Sequence, residues 1–148
     1  LAAEDEYLRA PPPKSTGRER YGTAYAQTLV DRVRAAGGSA EDAVATATAW
    51  TARTIADAYR AFVLPRGGVD ECVLSGGGAC NPALAERLRR ELAPLPVRDL
   101  RELGVDPRAK EALAFAVLAH AHLCGVPGNL PAVTGAAGPR VLGTRTPP

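Results

Sequence analysis

Glu71-Cys72-Val73-Leu74-Ser75-Gly76-Gly77-Gly78-Ala79-Cys80-Asn81-Pro82 is the stretch that decides the fold. Its first five residues form a short apolar run flanked by turn formers, the pattern of a buried strand. Three glycines close it. Asn81 then stands where an N-cap belongs, and Pro82 takes the first helical position, where the missing N–H is no loss. Leu84, Leu88 and Leu92 follow at four-residue steps, so a helix with one apolar face is expected, with Arg87, Arg89 and Arg90 turned to water.

Downstream, Pro96 to Leu100 is a weaker strand candidate. Asp106-Pro107 repeats the cap-then-proline signal and predicts a helix running to about Cys124, stopped by Gly125. That helix is small-sided, with alanines at 109, 112, 114, 116, 119 and 121, which permits close approach of a neighbour or a ligand. The glycine- and proline-rich tail from Gly125 to Pro148 is expected to follow an irregular surface path.

Upstream, Ser39 and Asp42 have the form of a capping box, opening a long helix. Its inward stripe is expected at Val44, Ala47, Thr51, Ile55, Ala58 and Phe62, and Pro65-Arg66-Gly67-Gly68 ends it. An earlier helix carries Tyr21, Tyr25, Leu29 and Val33 on one face and stops at Gly37-Gly38. Residues 1–20 are polar and proline-broken, so they read as a linker or cleft loop entering a domain of residues 21–148.

Strands separated by helices imply parallel pairing through crossovers, so the class is α/β, mostly helical with a short parallel sheet. Two strands alone leave both edges open, which raises the expectation of further strands upstream. The start at Leu1 rather than Met fits that expectation.

The 148 residues have the length of one ordinary domain, 46% of them hydrophobic and 23% charged. A net charge of +2 with both signs interleaved gives no electrostatic case for nucleic acid. No apolar run reaches membrane-spanning length, so a cytoplasmic protein with no membrane partner is expected. Cys72, Cys80 and Cys124 have no paired spacing and read as buried small hydrophobes. His120 and His122 are two apart on a helix, point to different sides and cannot share a metal.

Three places could carry chemistry. Gly76, Gly77 and Gly78 let backbone approach a ligand, and the helix capped by Asn81 offers unpaired N–H groups and positive potential. The turn lacks the GK[ST] ending of a phosphate loop and the spacing of a dinucleotide fingerprint, and a plain strand-to-helix turn is the competing reading. Lys14-Ser15-Thr16-Gly17-Arg18-Glu19 could meet anionic groups through Lys14 and Arg18, with hydroxyls from Ser15 and Thr16. Composition alone favours a helix cap there. Glu111 by default favours its helix N-terminus, but on so small-sided a helix it could reach into a cleft.

Taken together, Pro11 to Glu19, Ala45 to Ala52, Gly76 to Pro82, Lys110 to Ala116 and Gly125 to Ala136 resemble the anhydro-N-acetylmuramic acid kinase family over nearly the whole chain. PPPKSTGRE and PGNLPAVTGA are the specific strings. The resemblance implies an incomplete ribonuclease-H-like (actin-like ATPase) domain, the C-terminal nucleotide-binding part of a two-domain sugar kinase. It implies ATP with Mg2+ as donor, phosphorylation of O6 of 1,6-anhydro-N-acetylmuramic acid, and opening of the anhydro bridge by water. Gly76, Gly77, Gly78 and Asn81 would then be the adenosine-side loop, Glu111 the assisting acid, and Lys14, Ser15, Thr16 and Arg18 would line the substrate cleft. A homodimer is a further expectation. No D-G-T phosphate turn occurs in these residues, so the segment alone is expected to be inactive. Another sugar kinase of the same superfamily and a non-enzymatic helical binding module are the alternatives.

Overall fold

The computed structural model describes residues 5–146. Seven α-helices and two short strands appear among them: α1 (Glu6–Arg9), α2 (Arg18–Tyr21), α3 (Thr23–Ala35), α4 (Ala40–Ala58), β1 (Cys72–Leu74), α5 (Pro82–Leu92), β2 (Val97–Asp99), α6 (Lys110–Leu123) and α7 (Pro131–Thr134). β1 and β2 are parallel, pairing Cys72 with Val97, Val73 with Arg98 and Leu74 with Asp99. A parallel pair needs a crossover, and α5 supplies it.

The core lies where α4 and α5 meet one face of that sheet. Ala52, Ala56, Cys72, Leu88, Leu92 and Val97 form its buried cluster, with Ile55, Tyr59, Leu74 and Leu84 half-buried around it. Paired Cys72 and Val97 point the same way, as directly opposed residues must, and so present one apolar surface to the helices. The expected stripe on α4 is rotated in the fold. Ala43, Ala52 and Ala56 are its buried residues, whereas Val44 is 69% exposed. Alanines face α5 because small side chains let the two helices pack closely; larger residues flank the seam.

The capping box is present in both directions: the Asp42 amide donates to Ser39 Oγ at 3.1 Å, and the Ser39 amide to Asp42 Oδ2 at 2.8 Å. α4 ends through a π-helical turn at Tyr59–Val63 and a tight turn at Leu64–Arg66. Within the proline-broken 1–20 stretch, α1 and the start of α2 are ordered by Asp5, which accepts from the Tyr21 hydroxyl at 2.8 Å and pairs with Arg20 at 3.6 Å. Tyr7, Tyr21, Tyr25 and Trp50 stack edge-on and tilted above α4.

Two sequence expectations are corrected. Asp106 does not cap α6: residues 106–109 close their own turn, with the Ala109 amide donating to the Asp106 carbonyl at 2.9 Å, and the helix begins three residues later. Pro107 is the reason, being fully buried and tied through its carbonyl to Gly76 rather than to the helix. The cysteines also divide, with Cys72 buried but Cys80 and Cys124 exposed.

α6 has no buried residue, and Leu113, Phe115, Val117 and Leu123 are all more than half exposed. A helix apolar on every side ordinarily lies inside a protein. The chain exposes 10134 Å², against roughly 7200 Å² for a compact monomer of its mass. Much apolar surface is therefore uncovered.

Candidate functional site

The carboxyl ends of β1 and β2 lead into two turns, and these build the site. β1 runs through Ser75 into Gly76, whose φ of 75° lies in the left-handed region that glycine tolerates. Its amide donates to the Pro107 carbonyl at 3.0 Å, fixing the turn to the approach of α6. Gly77–Cys80 then make one tight helical turn. A side chain built at Gly76 or Gly77 would meet nothing within 4 Å, and at Gly78 only the Leu84 methyl at 3.6 Å. The backbone here is open on the side where a side chain would stand.

Asn81 is the cap of α5. Its Oδ1 accepts from the amides of Ala83 at 3.1 Å and Leu84 at 3.2 Å, which leaves the side-chain NH2 free to donate.

Beyond β2, Asp99 and Glu102 close a reciprocal cap around the turn Leu100–Leu103, and Gly104 ends it. Arg101 is clamped by the Asp99 carboxylate, Nε to Oδ1 at 3.0 Å and Nη2 to Oδ2 at 2.9 Å. The Arg101 hydrogen bonds hold the Asp99 carboxyl below the usual carboxylate range. Between the two turns opens a groove of about 680 Å³ lined by Cys80, Arg101, Gly104, Val105, Asp106 and Arg108. A second groove of about 480 Å³ lies on the Asn81 side, between the first turns of α4 and α5, with Val44, Ala45 and Thr48 in its wall. Ligands of open α/β sheets sit outside the carboxyl ends of the strands, which is where the first groove is.

The residues singled out in sequence are not all in one place. Gly76, Gly77 and Gly78 follow one another at the carboxyl end of β1; the last residue of their turn, Cys80, lines the first groove, and Asn81 lines the second. Glu111 is exposed in the first turn of α6, one turn beyond Pro107. Lys14 lies elsewhere: its ammonium donates to the carbonyls of Tyr7 at 2.9 Å and Leu8 at 3.2 Å and sits 4.9 Å from the ring centres of Tyr7 and Phe62. Ser15, Thr16 and Arg18 are exposed, with the Thr16 hydroxyl 3.4 Å from Glu19. Pro13 approaches Gly135 to 3.9 Å of its missing side chain, which brings the PPPKSTGRE and PAVTG strings together.

Arg101, Asp106 and Arg108 were not singled out by the sequence for this groove. The signal available was the Asp99-Glu102 spacing of a capping box immediately after a strand candidate. Among the described residues no group of three or more His, Cys, Asp or Glu side chains is placed to hold a metal, and no helix is long and apolar enough to cross a membrane.

A sequence profile of the anhydro-N-acetylmuramic acid kinases matches residues 2–148. The chain is 46% identical over 145 residues to the anhydro-N-acetylmuramic acid kinase of Salinibacter ruber, covering 98% of this chain and 36% of that protein. It is 47% identical over 145 residues to that of Synechococcus elongatus, covering 95% and 36%. To that of Gloeobacter violaceus it is 52% identical over 132 residues, covering 89% and 34%. It thus spans about a third of the length of the relatives it matches. With that match running from one end to the other, the chain belongs to the anhydro-N-acetylmuramic acid kinase family.

Proposed function

We propose that these residues are the nucleotide-binding, C-terminal part of a cytoplasmic two-domain kinase that phosphorylates 1,6-anhydro-N-acetylmuramic acid at O6. The anhydro bridge is opened by water in the same reaction, giving N-acetylmuramic acid 6-phosphate for peptidoglycan recycling. The observation that carries this reading is the open backbone of Gly76 and Gly77 at the carboxyl end of β1, in the turn whose last residue, Cys80, lines the groove. The ribonuclease-H-like fold belongs to the same proposal, supported by the parallel pair and its helical crossover.

The residues present fit ATP. Side chains are missing where the nucleotide would lie against the turn, and the helix beyond it begins with a satisfied cap and a spare amide donor at Asn81. ATP supplies the transferred phosphoryl group. Gly76, Gly77 and Gly78 hold the adenosine side by close backbone approach, and Asn81 orients it. Glu111, on the first turn of α6, is the assisting acid that helps to position the attacking water. Ser15, Thr16 and Arg18 are the cleft-facing groups, and Lys14 braces their loop against Tyr7 and Phe62. The described residues do not themselves form a metal site, and no step is assigned to Mg2+.

The reading also accounts for the bare surface of α6. A segment spanning a third of its relatives presents to solvent what the rest of a full-length kinase would cover. The 148 residues alone are accordingly expected to turn over no substrate.

The test uses a full-length kinase carrying this sequence. ADP release should require the anhydro sugar, and Gly77→Leu should raise KM for ATP roughly tenfold or more, the effect of ~1.4 kcal/mol, without moving KM for the sugar. ADP release indifferent to the anhydro sugar would end the substrate assignment. An unchanged KM for ATP in Gly77→Leu would end the site assignment.

A further inference from the structure

Of the two arginines in the groove between the glycine turn and the turn after β2, Arg101 is the one held by a carboxylate. Arg101 is held by Asp99 through two parallel contacts at 3.0 and 2.9 Å, and Asp99 is itself held by the Arg101 amide at 2.9 Å and by the reciprocal cap with Glu102. The carboxylate side chain is 21% exposed and the guanidinium 59% exposed, so the clamp lies at the back and the arginine faces outward. Arg108, in the same groove, has no such clamp and would lose side-chain freedom on binding anything.

A clamped guanidinium offers a ligand a particular kind of surface. Its N–H edge toward Asp99 is occupied and its charge is paired, which weakens it as a phosphate anchor. The rest of the side chain stays largely exposed, and flat π-systems stack on guanidinium planes. Gly104, closing the turn with φ 79° and lining the same groove as Arg101, has nothing within 4 Å of an added side chain, so the groove is open there and has room for a flat ring.

We infer that Arg101 is a nucleotide-binding residue, its guanidinium fixed by Asp99 as the flat wall on which the purine of ATP stacks. The inference rests on the reading of the glycine turn as a nucleotide site and adds to it a wall from the turn after β2. Stacking depends on shape rather than on charge, so the plane of the side chain is what matters.

Steady-state kinetics of the full-length kinase with varied ATP and varied anhydro sugar test this. Arg101→Ala should raise KM for ATP about tenfold to a hundredfold, the range expected for one lost base stack, with KM for the sugar unchanged. Arg101→Lys keeps the charge but not the plane and should recover only a minor part of the loss. Full recovery by lysine would overturn the stacking assignment. Asp99→Asn should raise KM for ATP by a smaller factor, since it loosens the clamp and leaves the ring-stacking group in place. If Gly77→Leu raises KM for ATP while Arg101→Ala does not, the glycine-turn reading stands and the role of Arg101 falls. If neither raises it, both fall. Should Arg101→Ala fold poorly, Arg101→Gln carries the same measurement.

Discussion

The Gly76 amide donates to the Pro107 carbonyl at 3.0 Å, joining the end of β1 to the turn that leads into α6. One hydrogen bond thus fixes the glycine turn and the segment carrying Asp106, Arg108 and Glu111 as a unit. With the β1–β2 pairing, it ties the elements that flank the groove. The backbone conformation of Gly76 is part of that tie, since its φ of 75° aims the amide.

Gly76→Ala should therefore lower stability although there is room for the methyl group. Nothing lies within 4 Å of the added carbon, so the whole effect comes from forcing an L-residue to φ 75° with ψ −171°, a region essentially confined to glycine, about 1–3 kcal/mol. Gly77 has equal room and no positive φ. Gly77→Ala should change stability by no more than about 0.5 kcal/mol. Urea unfolding of the two variants checks this, and equal losses at both positions would refute the conformational argument.

The α4–α5 seam makes a matched pair of expectations. Ala56 is 0% exposed and Leu88 2% exposed in the same cluster. Ala56→Leu overfills the seam and should cost about 1–3 kcal/mol. Leu88→Ala leaves a cavity and should cost about 2–5 kcal/mol. The two together should not restore the wild-type value, because the added volume sits on α4 and the missing volume on α5 beside the strands. Thermal unfolding of the three variants measures the coupling.

Local signals were readable in the sequence where they are self-contained. The Ser39–Asp42 box, the Asn81–Pro82 start and the Leu84, Leu88, Leu92 face each depend on residues within one or two turns, and the fold reproduces them. Signals that depend on distant partners were not. Which face of α4 turns inward is decided by α5, so Val44 was placed inside when alanines were needed there. Asp106-Pro107 has the spelling of a helix start, but Gly76 claims the Pro107 carbonyl and the helix begins later. At the site, the glycine turn was legible because strand, glycines and cap are contiguous. The Asp99–Arg101 clamp was not, because its value lies in facing a turn that is far away in sequence.

Thiol chemistry separates the three cysteines. Cys72 is buried in the core cluster at 5% exposure, whereas Cys80 and Cys124 are exposed. In the native chain an aromatic disulfide reagent should label Cys80 and Cys124 rapidly and leave Cys72 until the protein unfolds. Mass spectrometry of labelled peptides identifies the sites. Rapid labelling of Cys72 would show that the seam between the sheet and α4 opens readily.

Cys72 also contributes to the alkaline fall in stability through its contact with Tyr59. The Tyr59 hydroxyl donates to Cys72 Sγ at 3.3 Å, and this bond, with burial of the ring, pushes the phenol from its ordinary value near 10 up to about 12. Below pH 10 the folded and unfolded chains both keep this proton, and the contribution is fully present. Between pH 10 and 12 the unfolded chain releases the proton while the folded chain retains it, so stability falls as pH rises through that window. Tyr21 acts in the same direction, raised by burial and by its hydrogen bond to Asp5. Tyr59→Phe should therefore flatten the fall in unfolding midpoint across pH 10–12 without abolishing it, whatever it does to stability at neutral pH. Urea midpoints taken across that range decide the matter: a slope identical to wild type would mean that Tyr59 titrates alike in both states and that its bond to Cys72 does not hold the proton.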